Sequence, residues 1–456
     1  MTKFNKLISL ILLFSINNIS FSGMPHSFNG QAMPSLAPML QKVMPAVVNL
    51  QTIGSSVVGG NSSNNPFYQP RTRRHRSLGS GVIVDAANGY ILTNNHVIAK
   101  ATYIRVILAD KRVFKAKIIG RDPKTDIAVI QIKAKNLTAM KMGNSDHARV
   151  GDFVVAIGNA YGLQNTVTSG IISALGRVLP SGRRGNLQNQ PYQDFLQTDA
   201  PINPGNSGGA LVNMNGELIG LNTAIISPRS RGGKSGGSIG LGFAIPVNMA
   251  RNLMKQLVNF GEVRRGKLGV IIQDLTPKIA KALHSTVRRG AVISRLIQNS
   301  AAAQAGLRAG DIIVSVNGRR ILDANSLRNS IGTIQPGDKI NVVYLRDGKR
   351  ASTSATLRGK GFSSKDGRAN TTATLAGAKI AAIPPKFSKI KGVVVTNVRR
   401  DSRAWNSGIR RGDIITSINR RSVQDMTSYK KVLKNRQGTL LLNIRRGNGA
   451  LFLYLD

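Results

Sequence analysis

From residue 78 the chain runs as short apolar segments separated by turn residues. Alternation of apolar and polar positions with a period of two marks half-buried strands, and closely spaced turns mark an all-β sandwich or barrel. One set of such segments falls at 80–84, 90–93, 103–108, 113–119 and 127–132, preceded by a weaker one at 47–53. A second set falls at 153–157, 167–174, 195–198, 210–213, 218–224 and 241–245. Two such sets predict two small β-barrels packed together. After Pro246 the period lengthens, and residues 247–260, closed by Gly261, predict a helix with a glycine at its C-terminus. A shorter helix is expected after Ser35, with Leu36, Leu40 and Val43 near one face. Residues 54–77 are rich in Gly, Ser and Asn and then basic, and are expected to form a loop.

Beyond the helix the pattern repeats. Residues 290–319 align without a gap with residues 392–421. Gly290-Ala291-Val292-Ile293 matches Gly392-Val393-Val394-Val395, and Gly306-Leu307-Arg308-Ala309-Gly310-Asp311 matches Gly408-Ile409-Arg410-Arg411-Gly412-Asp413. Each copy is of domain size, so the repeat predicts two tandem domains, 263–358 and 374–456, rather than a solenoid. A Gly/Ser/Lys/Thr-rich stretch at 359–373 is expected to link them.

Composition changes the picture in three ways. Lys and Arg outnumber Asp and Glu 64 to 20, a net charge of +44, which attracts anions. The basic residues are spread through every segment, with no RNA- or DNA-binding motif and no aromatic platform, so nucleic acid is not expected as a partner. The charge leaves room for peripheral contact with an anionic membrane surface. Cysteine is absent, which removes disulfides and thiolate chemistry. Residues 1–22 carry Lys3 and Lys6, an apolar stretch from Leu7 to Ile16, and Ser20-Phe21-Ser22 at the end. This is the pattern of a secretory signal peptide cut after Ser22; an uncleaved anchor is the alternative.

Candidate chemistry centres on Asn203-Pro204-Gly205-Asn206-Ser207-Gly208-Gly209. The glycines permit a tight turn in which the amides of Gly205 and Ser207 can point at one spot beside Ser207 Oγ, an oxyanion hole with Asn206 between the donors. A serine needs a base and an orienting acid to act as a nucleophile. His96, at the end of a strand in Thr93-Asn94-Asn95-His96-Val97, and Asp126, opening the strand Asp126-Ile127-Ala128-Val129, supply the residue types. Their order along the chain, His then Asp then Ser, is that of chymotrypsin-type triads.

These strings, together with Gly242-Phe243-Ala244-Ile245-Pro246 and the C-terminal repeat, resemble the HtrA/Deg family of exported serine proteases over about residues 35 to 456. The resemblance implies a mostly β chain: a chymotrypsin-like double β-barrel protease domain at 35–260, then two PDZ-like domains. It implies His96 as base, Asp126 as orienting acid and Ser207 as nucleophile, with no metal and no cofactor. Ile202 and Ile225 fall where the family lines its primary pocket, and Thr223, Ala224, Ile225, Ile226 and Ser227 where the substrate main chain pairs. Lys267-Leu268-Gly269-Val270 resembles a PDZ carboxylate-binding loop, while Leu375-Ala376-Gly377-Ala378 is less typical, so the second domain is open to capture or to assembly. Asn206 stands where trypsin-like zymogens carry an acid, so activation is expected from loop ordering at 159–166, 176–193 and 226–238. The implied setting is the periplasm, the implied partners unfolded polypeptides and C-terminal peptides, and the implied assembly a homo-oligomer of trimers and their multiples. The functional expectation is ATP-independent cleavage of unfolded or damaged exported proteins by a serine endopeptidase. A chaperone or scaffold with proteolysis secondary is the alternative.

Overall fold

The computed structural model describes residues 27–28, 31–32, 35–58, 71–159, 166–179, 191–225, 239–359, 372–375, 377–383, 390–434 and 440–455. The first set of strands forms a seven-stranded antiparallel sheet in the order Val113–Lys115, Tyr103–Ile107, Val47–Val58, Arg71–Asp85, Tyr90–Asn94, Ile127–Gln131, Lys117–Asp122. The second forms a closed six-stranded barrel: Phe153–Gly158, Thr166–Arg177, Phe195–Thr198, Gly242–Pro246, Leu218–Ile225, Ala210–Asn213.

The seam between the two units follows from the strand period. In Ile127–Gln131, Ala128 and Ile130 turn into the core of the first unit beside Leu50, Ile83 and Ile91. Ile127 and Val129, on the other face, join a cluster that also contains Val155, Ile157, Val212, Leu221 and Phe243 of the second unit. Phe153–Gly158 splits the same way, with Val154 and Ala156 inside the barrel. Strands buried on both faces read as unbroken apolar runs, and each fully buried Val or Ile contributes about 1.5–3 kcal/mol. The helix Val247–Phe260 closes this seam with Val247, Met249, Ala250, Leu253 and Leu257, and ends at Gly261 with φ +70°.

One expectation is corrected. Residues 54–58 and 71–77 are not loop: Val47–Val58 pairs with Arg71–Asp85 along its whole length, out to Val58↔Arg71. The ladder hydrogen bonds carry this extension, and its polar sequence has no apolar alternation to announce it. Residues 59–70 lie outside the described residues.

The two C-terminal sheets repeat each other. In the first, Val270–Asp274, Ala291–Leu296, Ile312–Val316, Lys339–Arg346 and Lys349–Thr356 lie side by side, with helix Ala324–Gly332. In the second, Thr372–Leu375 and Ala378–Ala382 precede Val393–Val398, Ile414–Ile418, Leu440–Arg446 and Gly449–Leu455, with helix Met426–Lys434. The second sheet thus begins at Thr372, inside the stretch expected as linker. Each domain buries one aspartate under a two-pronged arginine. Arg346 donates to both oxygens of Asp311 at 2.7 Å, and Arg446 to those of Asp413 at 2.7 and 2.8 Å. The carboxylates hold both guanidinium pKa values above the usual arginine range.

The domains also pack on one another. Leu441 and Phe452 of the second C-terminal sheet join Leu275, Val292, Ile312 and Leu345 of the first in one apolar cluster. Toward the barrels, Arg319 Nη2 donates to Asp194 at 2.5 Å, Asn329 donates to the carbonyl of Gln193, and Arg265 pairs with Asp122 while lying over the Tyr192 ring.

Candidate functional site

His96 sits in the short helical turn Asn95–Ile98 that follows Tyr90–Asn94. Asp126, 1% exposed, stands at the start of Ile127–Gln131 with φ +62°. That left-handed backbone is unusual for a non-glycine residue. It is held by two donors to the Asp126 carbonyl, the amide of Asn95 at 3.0 Å and Asn94 Nδ2 at 3.1 Å. The carboxylate accepts three more bonds: His96 N to Oδ1 at 2.8 Å, His96 Nδ1 to Oδ2 at 2.6 Å, and Thr223 Oγ1 to Oδ2 at 2.8 Å. A carboxylate accepts, which makes Nδ1 the donor in this bond and, in a neutral ring, puts the lone pair on Nε2.

Ser207 comes from the other unit, on the turn leading into Ala210–Asn213. Its Oγ donates to the carbonyl of Thr223 at 3.2 Å. Thr223, 3% exposed, therefore touches both the acid and the serine, and ties the three residues into one site across the seam. The glycines have separate tasks. Gly205 has φ +103°, and a Cβ on Gly208 (φ +83°) would fall 2.2 Å from the Ser80 carbonyl oxygen. The amide of Asn206 is spent on the carbonyl of Asn203 at 3.0 Å, and that of Gly208 on Asn222 at 2.8 Å. Among the described residues, the amides of Gly205 and Ser207 meet no backbone acceptor. The Asn206 side chain is fully buried against Gly158, where a neutral amide is tolerated far better than a carboxylate.

Ile202 is 1% exposed and packs in the second barrel's core, against Gly242. Leu218–Ile225 loses its Ala210–Asn213 partner beyond Ala210↔Leu221, while its other side stays paired out to Ile225↔Gly242. Among the described residues no strand pairs with this side of Thr223, Ala224 and Ile225. Ile226 and Ser227 lie outside the described residues, as do 160–165, 180–190 and 228–238 of the loops expected to order on activation.

In the first C-terminal domain, Lys267 and Leu268 lead to Gly269 (φ +78°), where a Cβ would fall 2.3 Å from Ser300 Cβ. The carbonyls of Leu268 and Gly269 accept from Ala302 and Ile297. Val270–Asp274 follows as an edge strand whose one ladder partner among the described residues is Ala291–Leu296, with Gln273 bonded to the main chain of Phe452 in the second domain. The second domain reproduces the turn: Gly377 has φ +97°, a Cβ there would fall 2.3 Å from Ser402 Cβ, and its carbonyl accepts from Arg399. The difference lies in the edge. Ala378–Ala382 is already paired by Thr372–Leu375 of the same chain, and Leu375 is buried in that domain's core. Sequence reasoning weighed the loop residues and missed this strand; the β-branched Thr372 and Thr374 ahead of the loop were the available signal.

Comparison with known proteins agrees with this geometry. A family model for a trypsin-like peptidase domain matches residues 79–221, and two for PDZ domains match 266–357 and 394–446. The periplasmic serine endoprotease DegP of Escherichia coli (strain K12) is 44% identical over 93% of this chain and 93% of its own. The periplasmic pH-dependent serine endoprotease DegQ of the same strain is 42% identical over 98% and 97%. Structures of the HtrA-type protease AlgW with a decapeptide and with a tripeptide share 41% and 42% identity, each covering 72% of this chain, with TM-scores of 0.52 and 0.54. Likeness at this level over the barrels and both C-terminal domains means that the chain belongs to the HtrA/Deg family of serine endoproteases.

Proposed function

We propose that Ser207 is the nucleophile, His96 its general base and Asp126 the acid that orients His96. The observation that carries this is the Nδ1–carboxylate bond of 2.6 Å, which leaves Nε2 basic, joined through Thr223 to Ser207, whose amide and that of Gly205 meet no backbone acceptor among the described residues. Ser207 Oγ turns from the Thr223 carbonyl to His96 Nε2, gives up its proton there and attacks the scissile carbonyl. The new oxyanion meets the amides of Gly205 and Ser207 across Asn206. His96 then protonates the leaving amine, and water releases the acyl group by the reverse steps. The substrate main chain pairs with the edge from Thr223 through Ala224, Ile225 and Ile226 to Ser227. Ile202 and Ile225 make the primary pocket aliphatic, with no acid to receive a Lys or Arg side chain.

C-terminal peptides add to the edge at Val270–Asp274, their carboxylate on the Lys267-Leu268-Gly269-Val270 loop. The substrates are unfolded or damaged exported polypeptides in the periplasm, reached through a cleaved signal peptide, and the working form is a homo-oligomer of trimers and their multiples. Mass-spectrometric mapping of cuts in a denatured substrate tests the pocket: cuts are expected after Val, Ala and Ile, and cuts mainly after Lys or Arg would contradict it.

A further inference from the structure

Ser80 lies on Arg71–Asp85, a strand of the first unit, and is fully buried. Every polar group it carries is used, half of its bonds on the turn that holds Ser207. Its amide donates to the Ser207 carbonyl at 2.8 Å. Its hydroxyl donates to the Gly205 carbonyl at 2.7 Å and accepts from the amide of Asn159, at the end of Phe153–Gly158, at 2.7 Å. Its carbonyl accepts from Thr93 Oγ1 at 2.8 Å.

The consequence concerns three successive peptide planes. The middle plane, from the Gly205 carbonyl to the Asn206 amide, is held at both ends: the carbonyl by Ser80 Oγ and the amide by the Asn203 carbonyl. The plane before it carries the Gly205 amide, and the plane after it carries the Ser207 amide. Peptide planes are rigid, so fixing the middle one restricts where both flanking amides aim. An amide held 1 Å out of place no longer stabilises an oxyanion effectively, since preorganised donors act through exact aim. Any residue but proline at position 80 could supply the amide to the Ser207 carbonyl. Only the hydroxyl reaches Gly205.

We propose that Ser80 is a positioning residue for peptide-bond cleavage, its hydroxyl clamping the Gly205 carbonyl so that the amides of Gly205 and Ser207 converge on the oxyanion. The inference rests on the assignment of Ser207 as nucleophile. It places a determinant of the oxyanion hole on the opposite unit from the turn that forms it.

The test uses the full-length protein and a short chromogenic peptide, with Ser80→Ala, Ser80→Thr and Ser80→Val compared with the parent. Thr and Val add similar bulk, and only Thr keeps the hydroxyl. Ser80→Ala should lower kcat by about 10- to 100-fold, less than loss of an oxyanion donor itself, with KM unchanged. Affinity for a peptide boronic acid, which forms a tetrahedral adduct on Ser207, should fall with kcat. Ser80→Thr should recover most of the kcat that Ser80→Val loses. An unchanged kcat in Ser80→Ala, or equal losses in the Thr and Val variants, overturns the proposal. Ser207→Ala assayed alongside separates the two readings: if it still cleaves, the nucleophile assignment has failed rather than the clamp.

Discussion

At the scale of single residues, Thr223 is the link between Asp126 and Ser207. Its hydroxyl supplies one of three hydrogen bonds to the Asp126 carboxylate, and its carbonyl holds Ser207 Oγ. Thr223→Val keeps the shape and removes the donor. A buried acceptor left short of a donor costs about 1–3 kcal/mol, so kcat should fall roughly tenfold and thermal stability should drop; steady-state kinetics and a melting curve check both. An unchanged kcat would mean that His96 alone keeps Asp126 in place. His96, Asp126 and Ser207 were legible in the sequence because each sits in a local string with its own turn or strand signal. The contact of Thr223 with Asp126 was not legible, since it joins strands of two different units, and neither was the reach of Ser80 to Gly205. Such contacts depend on how the two sheets face each other, which no local pattern encodes.

At the scale of elements, strands buried on one or both faces were read well. Phe195–Thr198, Ala210–Asn213 and the helix Val247–Phe260 fall where the apolar period puts them. Strands held mainly by ladder hydrogen bonds were not, as with 54–58 and 71–77, and again with Thr372–Leu375. That last strand is a structural difference between the two C-terminal domains. Both have a left-handed glycine pressed against a serine Cβ, but among the described residues the strand that follows it has a second ladder partner in the second domain and not in the first. Gly269→Ala, which forces a Cβ into Ser300, should abolish binding of a free C-terminal peptide while sparing hydrolysis of a short chromogenic peptide. Gly377→Ala should destabilise the second domain with no loss of peptide binding. Calorimetric titration of a C-terminal peptide into both variants decides: binding lost in Gly377→Ala and kept in Gly269→Ala would reverse the assignment.

At the scale of the molecule, one of the contacts between the first C-terminal domain and the protease units is the pair of Asp194 with Arg319. Burial pushes its carboxyl above the usual aspartate value of 3.8, and the guanidinium of Arg319 pulls it back only in part, with the carboxylates of Asp146 and Asp323 adding to the rise. A raised pKa in the docked state means that docking takes up a proton. The contribution is therefore present below pH 3.8 and is lost as pH rises through the raised pKa. Asp194→Asn imitates the protonated form. Its stability should match the parent in acid and exceed it near neutrality, which thermal unfolding from about pH 4 to 7 measures. A variant less stable than the parent at neutral pH would mean that the pair with Arg319 outweighs burial. The chain as a whole carries a charge of +44, but burial sets the direction of the Asp194 shift.

The central claim, that Ser207 attacks with His96 as its base and Asp126 behind it, is tested most directly by labelling the full-length protein with a fluorophosphonate and measuring its intact mass. One adduct should form, map to Ser207 and vanish in Ser207→Ala, while cleavage of an unfolded substrate falls by on the order of 10⁶ in the same variant. An adduct on another serine, or cleavage persisting above about a hundredth of the parent rate in Ser207→Ala, would contradict the account.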